Sequence, residues 1–173
     1  MKNALTILIT THVLPTAPSI EIIDKCIRSI FENLEGLKDC NVLIYCDSKK
    51  DDPVYRQYLS NLRARPQALA FPQTFRNVQV LDRPHSGLTV NYIDALVNCP
   101  TEFVLFCEHD WLFLRPIDGK ALINCMEVNA EVNFVRFNKR NNWKVDDASD
   151  AWETHIEEED QIKECPLMRT NSI

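Results

Sequence analysis

The stretch Phe103–Trp111, with the sequence FVLFCEHDW, decides the fold of this 173-residue chain. Phe103–Cys107 is its most hydrophobic strand candidate, and this run continues without a break into Glu108-His109-Asp110. An apolar run without polar alternation is typical of a strand covered on both faces, as in a parallel sheet. Charged residues directly after a buried strand indicate a structural or functional role, because burying a charge without a partner is costly. The stretch therefore predicts a layered sheet and draws attention to the carboxyl end of this strand.

Strand and helix candidates alternate along the chain on both sides of this stretch. Further strands are expected over four apolar segments, which are Leu5–Thr11, Asn41–Cys46, Asn77–Leu81 and Val132–Phe137. Helical spacing of apolar residues predicts a helix that Ser19 caps and Gly36 stops, a second that Asp52-Pro53 opens, and two more over Leu88–Val97 and Ala121–Val128. Alternating β and α units predict an α/β fold with a mixed, mostly parallel sheet flanked by helices.

Three segments carry more local expectations. Leu88–Val97 has apolar residues nearly all round the helix, which predicts that it is buried. Arg63–Phe75 has weak periodicity and is expected to be a loop. From Asn138 onward the composition turns polar around Trp143 and Trp152, which is typical of loops over a site. The length predicts a single domain over 1–173.

Composition excludes several classes of function. The chain is 45% apolar, enough for a core, and its net charge is −6, which excludes a basic nucleic-acid-binding surface and predicts no nucleic-acid partner. It has three glycines and neither a G-x-G-x-x-G turn nor a G-x-x-x-x-G-K-[ST] phosphate loop. If the chain binds phosphate, it must therefore use another device.

The cysteines and the N-terminal segment indicate the compartment. There are seven cysteines, without a C-x-x-C motif or paired Cys/His spacing, so a structural zinc site is not expected. Most lie within apolar runs, which is typical of buried thiols in a reducing compartment and predicts a cytoplasmic protein. Leu5–Thr11 is too short to span a membrane and is expected to be the first strand.

Polar residues follow each predicted parallel strand. They are Thr10-Thr11-His12, Asp47-Ser48, Arg83–Gly87 and Glu108-His109-Asp110. Ligands of open α/β sheets bind at the carboxyl ends of the strands, so these residues are expected to form one site. Residues at i and i+2 leave a strand on the same side, which predicts that Glu108 and Asp110 converge on a Mg²⁺ or Mn²⁺ ion. Such an ion would neutralise a diphosphate without a glycine-rich loop.

These pieces together resemble the nucleotide-sugar-dependent glycosyltransferases of the GT-A fold, especially the inverting family 2 type. The resemblance covers roughly residues 4–140. It rests on the first strand and helix, on the strand ending in Asp47-Ser48, on His85-Ser86-Gly87-Leu88 leading to Asn91, and on Phe103–Trp111. The family's Asp-x-Asp motif corresponds here to Glu108-His109-Asp110. The resemblance implies a hexosyltransferase-type enzyme that transfers a sugar from a nucleoside-diphosphate sugar, with inversion, to an acceptor hydroxyl.

The resemblance also implies roles for individual residues. Asp110 would ligate Mn²⁺ or Mg²⁺, and Glu108 would reach the ribose or a metal-bound water. Asp47 would contact the base or ribose. The rest of the donor site would be lined by Thr10, Thr11, His12, Arg83, Gly87 and Asn91.

The resemblance divides the chain into a nucleotide-sugar donor half over 1–110 and an acceptor half over 111–173, and the acceptor half is less defined. The resemblance implies a general base in the C-terminal part, and Asp160 and Glu159 match the family's acidic pair best. The donor is expected to be a UDP-sugar, and the acceptor a glycan, a lipid-linked molecule or a protein. Family members commonly have more chain after this point, so another domain or subunit is a further expected partner.

Structural interpretations remain open beside these roles. Glu108 and Asp110 also suit a solvated strand end, Asp47 a turn, Arg83 an ion pair with Asp82, and Asn91 a bond to a backbone group. Two other functions remain open as well. One is a non-catalytic GT-A-like module that binds a nucleotide or a partner. The other is a sugar nucleotidyltransferase, although those usually carry a Gly-rich loop after strand one, where this chain has Thr10-Thr11-His12.

Overall fold

The computed structural model describes residues 5–14, 18–36, 40–47, 51–68, 77–83, 86–135, 137 and 167–169. The strands in this part of the chain are β1 (Leu5–Thr11), β2 (Leu34–Glu35), β3 (Asn41–Cys46), β4 (Asn77–Asp82), β5 (Phe103–Glu108), β6 (Ile117–Asp118), β7 (Phe134–Val135) and β8 (Leu167–Arg169). The helices are α1 (Glu21–Asn33), α2 (Pro53–Ala68), α3 (Gly87–Val97) and α4 (Gly119–Val128). The predicted alternation of strands and helices is confirmed, with small shifts at the ends of the elements.

The main sheet of the described residues has the strand order β4-β3-β1-β5-β8-β7. β1 lies at its centre and pairs in parallel with β3 on one side and with β5 on the other, and β4 extends the parallel part beyond β3. β8 runs antiparallel to both β5 and β7. The predicted α/β fold with a mixed, mostly parallel sheet is confirmed.

Helices cover the parallel strands on both faces. On the first face, Ile7, Ile44 and Leu105 belong to the larger core cluster, which also contains buried side chains of α1, α2 and α4. On the second face, Leu8 and Phe106 form a smaller cluster with side chains of α3. We call these the α1/α2 face and the α3 face. Both faces of the parallel strands are buried, which explains why these strands lack polar alternation. Each fully buried aliphatic side chain stabilises the folded state by roughly 1.5–3 kcal/mol.

The first helix differs from the prediction at both ends. α1 begins at Glu21 with Ile20 at the N-cap, and the Ser19 hydroxyl accepts a long 3.5 Å bond from the Glu21 N–H without capping the helix. Glu21 and Asp24, in the first turn, interact favourably with the positive end of the helix dipole. α1 ends at Asn33, before Gly36, because β2 follows directly and pairs with β6.

The predicted burial of the third helix is wrong. α3 buries Asn91 and Ala95 toward the sheet, but Val90, Ile93 and Val97 are 54%, 57% and 76% exposed. The sheet covers one side of the helix, and within the described residues no other element covers its opposite side. An apolar residue on every side therefore does not imply burial on every side.

The predicted loop over Arg63–Phe75 is wrong in its first part, because α2 continues to Ala68. The rest of that segment lies outside the described residues. Six described cysteines are free thiols; four of them are buried, as predicted, whereas Cys99 is partly exposed and Cys125 is exposed. No helix in the described residues has both the length and the apolar character needed to cross a membrane.

Candidate functional site

The sheet brings most of the predicted site residues to one edge, at the carboxyl ends of its parallel strands. Thr10 is in register with Glu108, and Cys46 with Asp82. Backbone hydrogen bonds continue beyond the strands, from the Asp47 N–H to the Thr11 carbonyl at 2.8 Å and from the Arg83 N–H to the Cys46 carbonyl at 2.9 Å. The backbone hydrogen bonds between these strands therefore continue one residue past the ends of β3 and β4.

Strand alternation divides the edge residues between the two faces. Thr10 and Glu108 follow Leu8 and Phe106 by two residues, and both of these lie in the core cluster under α3. The same alternation puts Asp47 and Arg83 on the α3 face, and both side chains bond to α3. Thr11 and Asp82 are on the α1/α2 face, where both bond to α2. The residues on the α3 face are all predicted donor-site residues: Thr10, Asp47, Arg83 and Glu108.

Asp47 binds the beginning of α3. Its Oδ2 accepts a 2.8 Å hydrogen bond from the Gly87 N–H, and a carboxylate at a helix N-terminus is favoured by the helix dipole. Gly87 has φ +74, a left-handed backbone that favours glycine, and a Cβ added there would meet no atom of the described residues within 4 Å. The bond from Gly87 uses one carboxylate oxygen of Asp47.

Arg83 forms a different ion pair from the one considered in the sequence. Its guanidinium lies 2.7 Å from Asp94 Oδ2 on α3, to which the Tyr45 hydroxyl also donates at 3.1 Å. Burial, followed by the bond to Asp94, raises the pKa of Tyr45 to about 12. Arg83 Nε is buried and has no hydrogen-bond partner among the described residues. The guanidinium is therefore engaged with α3, and a phosphate would have to compete with Asp94 for it.

Asn91 stabilises the loop that leads into α3. Its side chain is 1% exposed, and its Oδ1 lies 2.7 Å from the Ser86 hydroxyl. That hydroxyl is also 2.8 Å from the Arg83 carbonyl. The structure thus links Asn91 to a backbone group indirectly, through Ser86. This loop carries Gly87 and Arg83, so Asn91 fixes the backbone beside the candidate donor site.

Two tyrosines of α2 close the α1/α2 face of the edge. The Tyr58 hydroxyl lies 2.6 Å from Thr11 Oγ1, and the Tyr55 hydroxyl donates to the Asp82 carboxylate and, at 3.2 Å, to the Cys46 carbonyl. Burial raises the pKa of Tyr58 to about 12. The hydroxyl of Thr11, a predicted donor-site residue, is therefore bonded to a core tyrosine. The sequence analysis missed these bonds, because helical spacing does not show which groups on the sheet the helix contacts.

The predicted metal ligands lie where β5 ends. The strand stops at Glu108, and the Trp111 N–H donates to the Glu108 carbonyl at 3.1 Å, which closes a turn. The argument that Asp110 continues the alternation of the strand is wrong, because Asp110 lies in this turn. Glu108 is partly buried and Asp110 is exposed. The Cys26 thiol donates to the Glu108 carbonyl at 3.5 Å.

The donor chemistry of this turn fits a metal that is shared with a substrate. No group of three or more His, Cys, Asp or Glu side chains in the described part of the chain forms a metal cluster. Mg²⁺ characteristically binds one or two carboxylates and completes its shell with phosphate oxygens and water. The carboxylates of Glu108 and Asp110 suit that type of site.

Two histidines meet beside the turn. The rings of His12 and His109 contact edge to face, with centroids 4.9 Å apart and an interplanar angle of 88°. His109 is 6% exposed, and its backbone N–H donates to the Thr10 carbonyl at 3.0 Å. Burial, and next the neighbouring His12, lower the pKa of His109. His12 itself is exposed at the end of β1. Asp160 and Glu159, the predicted base candidates, lie outside the described residues.

Comparison with known proteins identifies the architecture. No protein-family model matches the chain, and no curated protein sequence matches it. Among solved structures, the mannosyltransferase PcManGT from Pyrobaculum calidifontis, in complex with GDP-Man and Mn²⁺, is similar with a TM-score of 0.61 at 13% identity. The alignment covers 98% of this chain and 45% of that one. The chain has a GT-A-like fold.

Two further structures share this GT-A-like architecture. S. aureus TarS 1-349 has a TM-score of 0.51 at 18% identity, over 98% of this chain and 47% of that chain. A CMP:2-keto-3-deoxy-manno-octonic acid synthetase in complex with CTP has a TM-score of 0.52 at 12% identity, over 98% of this chain and 75% of that chain. The chain spans about half the length of the two glycosyltransferase structures that it matches.

Proposed function

We propose that this chain is a metal-dependent glycosyltransferase domain of the hexosyltransferase type, which transfers a sugar from a nucleoside-diphosphate sugar to an acceptor hydroxyl with inversion. One observation carries the proposal. In a GT-A-like fold, Asp47, Thr10 and Glu108 lie on one face of the carboxyl edge of the sheet, and Asp47 bonds to Gly87, beside which no described atom would meet an added Cβ. Ligands of α/β sheets bind at this edge.

The nucleoside is proposed to bind across the ends of β1 and β3. Asp47 is held by Gly87 through one oxygen, and its other oxygen would accept hydrogen bonds from the base or the ribose. Because α3 already has the Asp47 carboxylate at its N-terminus, that helix end is not the proposed phosphate site. Thr10 and His12 would line the side toward β5, and Gly87 the opposite side. Thr11, Arg83 and Asn91 would act at one remove, through the bonds they make to α2, Asp94 and Ser86.

The diphosphate is proposed to lie at the turn after β5. Asp110, and Glu108 with it, would hold Mn²⁺ or Mg²⁺ there, which supplies positive charge to the departing diphosphate. PcManGT was determined with GDP-Man and Mn²⁺, which supports this assignment. A UDP-sugar is the expected donor, and the PcManGT complex makes a GDP-sugar the first alternative.

The transfer step needs a base as well as this donor site. The acceptor oxygen forms its bond to the anomeric carbon while the bond from that carbon to the diphosphate breaks, and the leaving diphosphate takes the electron pair. A carboxylate must accept the proton of the acceptor hydroxyl, and Asp160 or Glu159 is proposed for this role. A glycan, a lipid-linked molecule or a protein is the proposed acceptor, with a further domain or subunit as the source of additional acceptor contacts.

Calorimetric titration tests the proposal. UDP, GDP and dTDP are titrated into the protein with Mn²⁺ and with EDTA, and the titrations are repeated with Asp110→Ala and with Asp118→Ala. Asp118 is a matched control, because it is an exposed aspartate that caps α4 away from the carboxyl edge. We expect one nucleotide to bind only with Mn²⁺, and only Asp110→Ala to abolish the binding. If no nucleotide binds in either condition, the transferase proposal is wrong.

A sugar nucleotidyltransferase is the second candidate, because the similar CMP:2-keto-3-deoxy-manno-octonic acid synthetase was determined with CTP. Titrating CTP and UTP in the same experiment separates the two enzymes, since a nucleotidyltransferase binds the triphosphate as its substrate. Nucleotide binding without hydrolysis or transfer of any supplied sugar would instead favour a non-catalytic module.

A further inference from the structure

The edge-to-face contact between His12 and His109 joins the two parts of the proposed donor site. His12 follows the end of β1, where the nucleoside is proposed to bind. His109 stands between Glu108 and Asp110, the proposed metal ligands. Its ring is buried, whereas the ring of His12 is exposed, so the contact lies at the boundary between the core and the site.

Hydrogen bonds hold the chain on both sides of the turn, and side-chain packing adds to them. The His109 N–H binds the Thr10 carbonyl, and the Trp111 N–H binds the Glu108 carbonyl. Farther along, the Phe113 N–H donates to Ser29 Oγ at 3.0 Å, and Asn33 Nδ2 donates to the Phe113 carbonyl at 2.7 Å. These bonds anchor the chain on both sides of Asp110. Two side chains pack beside the turn: the buried ring of His109, which contacts His12, and the partly buried side chain of Trp111, which packs against the core of the α1/α2 face.

We propose that His109 is a positioning residue: its ring, packed against His12, holds the turn from Glu108 to Trp111 in the conformation that presents Asp110 to the metal and diphosphate. This inference rests on the proposed function. It gives His12 a second role besides lining the nucleoside site, because the exposed His12 ring packs on the His109 ring from the solvent side. Neither ring needs to touch the ligand for this purpose.

The size of the effect follows from the contact. An aromatic pair of this geometry contributes enough to change an equilibrium by about 2-fold to 10-fold. Without the contact, the turn populates other conformations, and the apparent dissociation constant rises in inverse proportion to the competent fraction. Loss of the contact therefore speeds exchange of the Trp111 amide, which occurs from the open turn, by about 2-fold to 10-fold, and it weakens metal-dependent nucleotide binding by no more than that factor.

Variants at His12 test the proposal, because this residue is exposed and its replacement leaves the core intact. His12→Ala removes the ring contact, whereas His12→Phe keeps an aromatic ring but removes the nitrogens. Val128→Ala is the control, since Val128 is an exposed apolar residue at the end of α4. For each variant, UDP, GDP and dTDP are titrated with MnCl2, and hydrogen exchange of the Trp111 amide is measured without nucleotide.

We expect His12→Ala to speed exchange of the Trp111 amide by about 2-fold to 10-fold and to weaken Mn²⁺-dependent binding, while the Trp111 amide of His12→Phe and of the control exchanges at the wild-type rate. If His12→Phe weakens binding as much as His12→Ala and the amide exchanges at the wild-type rate in both, His12 contacts the ligand directly and the positioning role is wrong. If the wild type binds no nucleotide, the proposed function is wrong. Trp111 exchange then still decides whether the ring pair holds the turn.

His109→Phe provides the reciprocal test. It preserves a buried ring opposite His12, so we expect binding and Trp111 exchange close to wild type. His109→Phe combined with His12→Ala should show the same losses as His12→Ala alone. If His109→Phe alone weakens binding and speeds Trp111 exchange as much as His12→Ala does, ring packing does not hold the turn and the proposal is wrong.

Discussion

The two faces of the sheet differ most at its carboxyl edge, although they are built from alternate residues of the same strands. On the α1/α2 face, Thr11 and Asp82 are bonded to the hydroxyls of Tyr58 and Tyr55. On the α3 face, Arg83 pairs with Asp94 of α3, while the Asp47 carboxylate accepts a hydrogen bond from Gly87 at the start of that helix. Among the described residues, no atom lies within 4 Å of a Cβ placed on Gly87. Polar residues at the strand ends thus fasten helices on both faces, and we propose that Asp47 and Glu108 on the α3 face also bind a ligand.

The largest expected effect tests the fastening role of the α1/α2 face. Tyr55 is 1% exposed, so Tyr55→Ala leaves a cavity and should lower the free energy of unfolding by about 3–5 kcal/mol. Tyr55→Phe keeps the ring and should lower it less. Urea denaturation measures both. A loss of less than about 1 kcal/mol in Tyr55→Ala would mean that α2 is not fastened at this point.

The bond between Thr11 and Tyr58 gives a smaller and more specific test. Thr11→Val and Tyr58→Phe should each lower the free energy of unfolding by about 1 kcal/mol, because each leaves a buried hydroxyl or its partner without a bond. The double variant should lose little more than one single variant, since the same bond is removed. Additive losses in a denaturant double-mutant cycle would show that the two hydroxyls do not depend on each other.

Alkaline titration probes both faces, because Tyr58 and Tyr45 lie on opposite sides of the sheet. The pKa of each is raised to about 12 in the folded protein, against about 10 in an unfolded chain. The unfolded state therefore loses these protons first, so the stability that they contribute is complete below pH 10 and is lost as the pH rises toward 12. Tyrosinate absorbance should show at least two late-titrating tyrosines, and Tyr58→Phe should remove one. Ionisation of every tyrosine near pH 10 would contradict the structure.

The smallest expected effect lies on the outer side of α3. Val97 is 76% exposed, so Val97→Ser should change the free energy of unfolding by no more than about 0.5 kcal/mol. Leu8 is fully buried under the same helix, and Leu8→Ala should cost about 2–5 kcal/mol. Thermal unfolding of both variants makes the comparison. Similar losses would mean that another part of the chain covers α3.

The sequence predicts the layers better than it predicts the contacts between them. Leu5–Thr11 and Asn41–Cys46 were located exactly as strands, because continuous apolar runs bounded by polar residues leave few alternatives. The antiparallel position of β8 between β5 and β7 was not predicted, since such long-range pairing leaves no local pattern. The exposed side of α3 was misread because periodicity identifies a helix but does not say how many neighbours cover it.

The candidate site shows the same limit. The carboxyl edge was predicted because parallel strands bring their ends together, and the register of Thr10 with Glu108 confirms that juxtaposition. The partner of Arg83 was not predicted, because Arg83 pairs with Asp94 on α3 and not with Asp82, its neighbour in the sequence. Asp110 was assigned to the strand, but β5 ends at Glu108. Hydrogen-bond partners depend on tertiary packing, which the order of residues does not specify.

Nucleotide affinity in the matched variants Asp47→Asn and Asp82→Asn tests the division between the two faces most directly. The two carboxylates lie at the ends of neighbouring strands on opposite faces, and asparagine keeps an oxygen that accepts the Gly87 N–H or the Tyr55 hydroxyl. With Mn²⁺ present, Asp47→Asn should weaken binding of the preferred nucleoside diphosphate by about 10-fold or more. Asp82→Asn should change it by less than about 2-fold. Equal weakening in both variants, or weakening in Asp82→Asn alone, would contradict the assignment of the donor site to the α3 face.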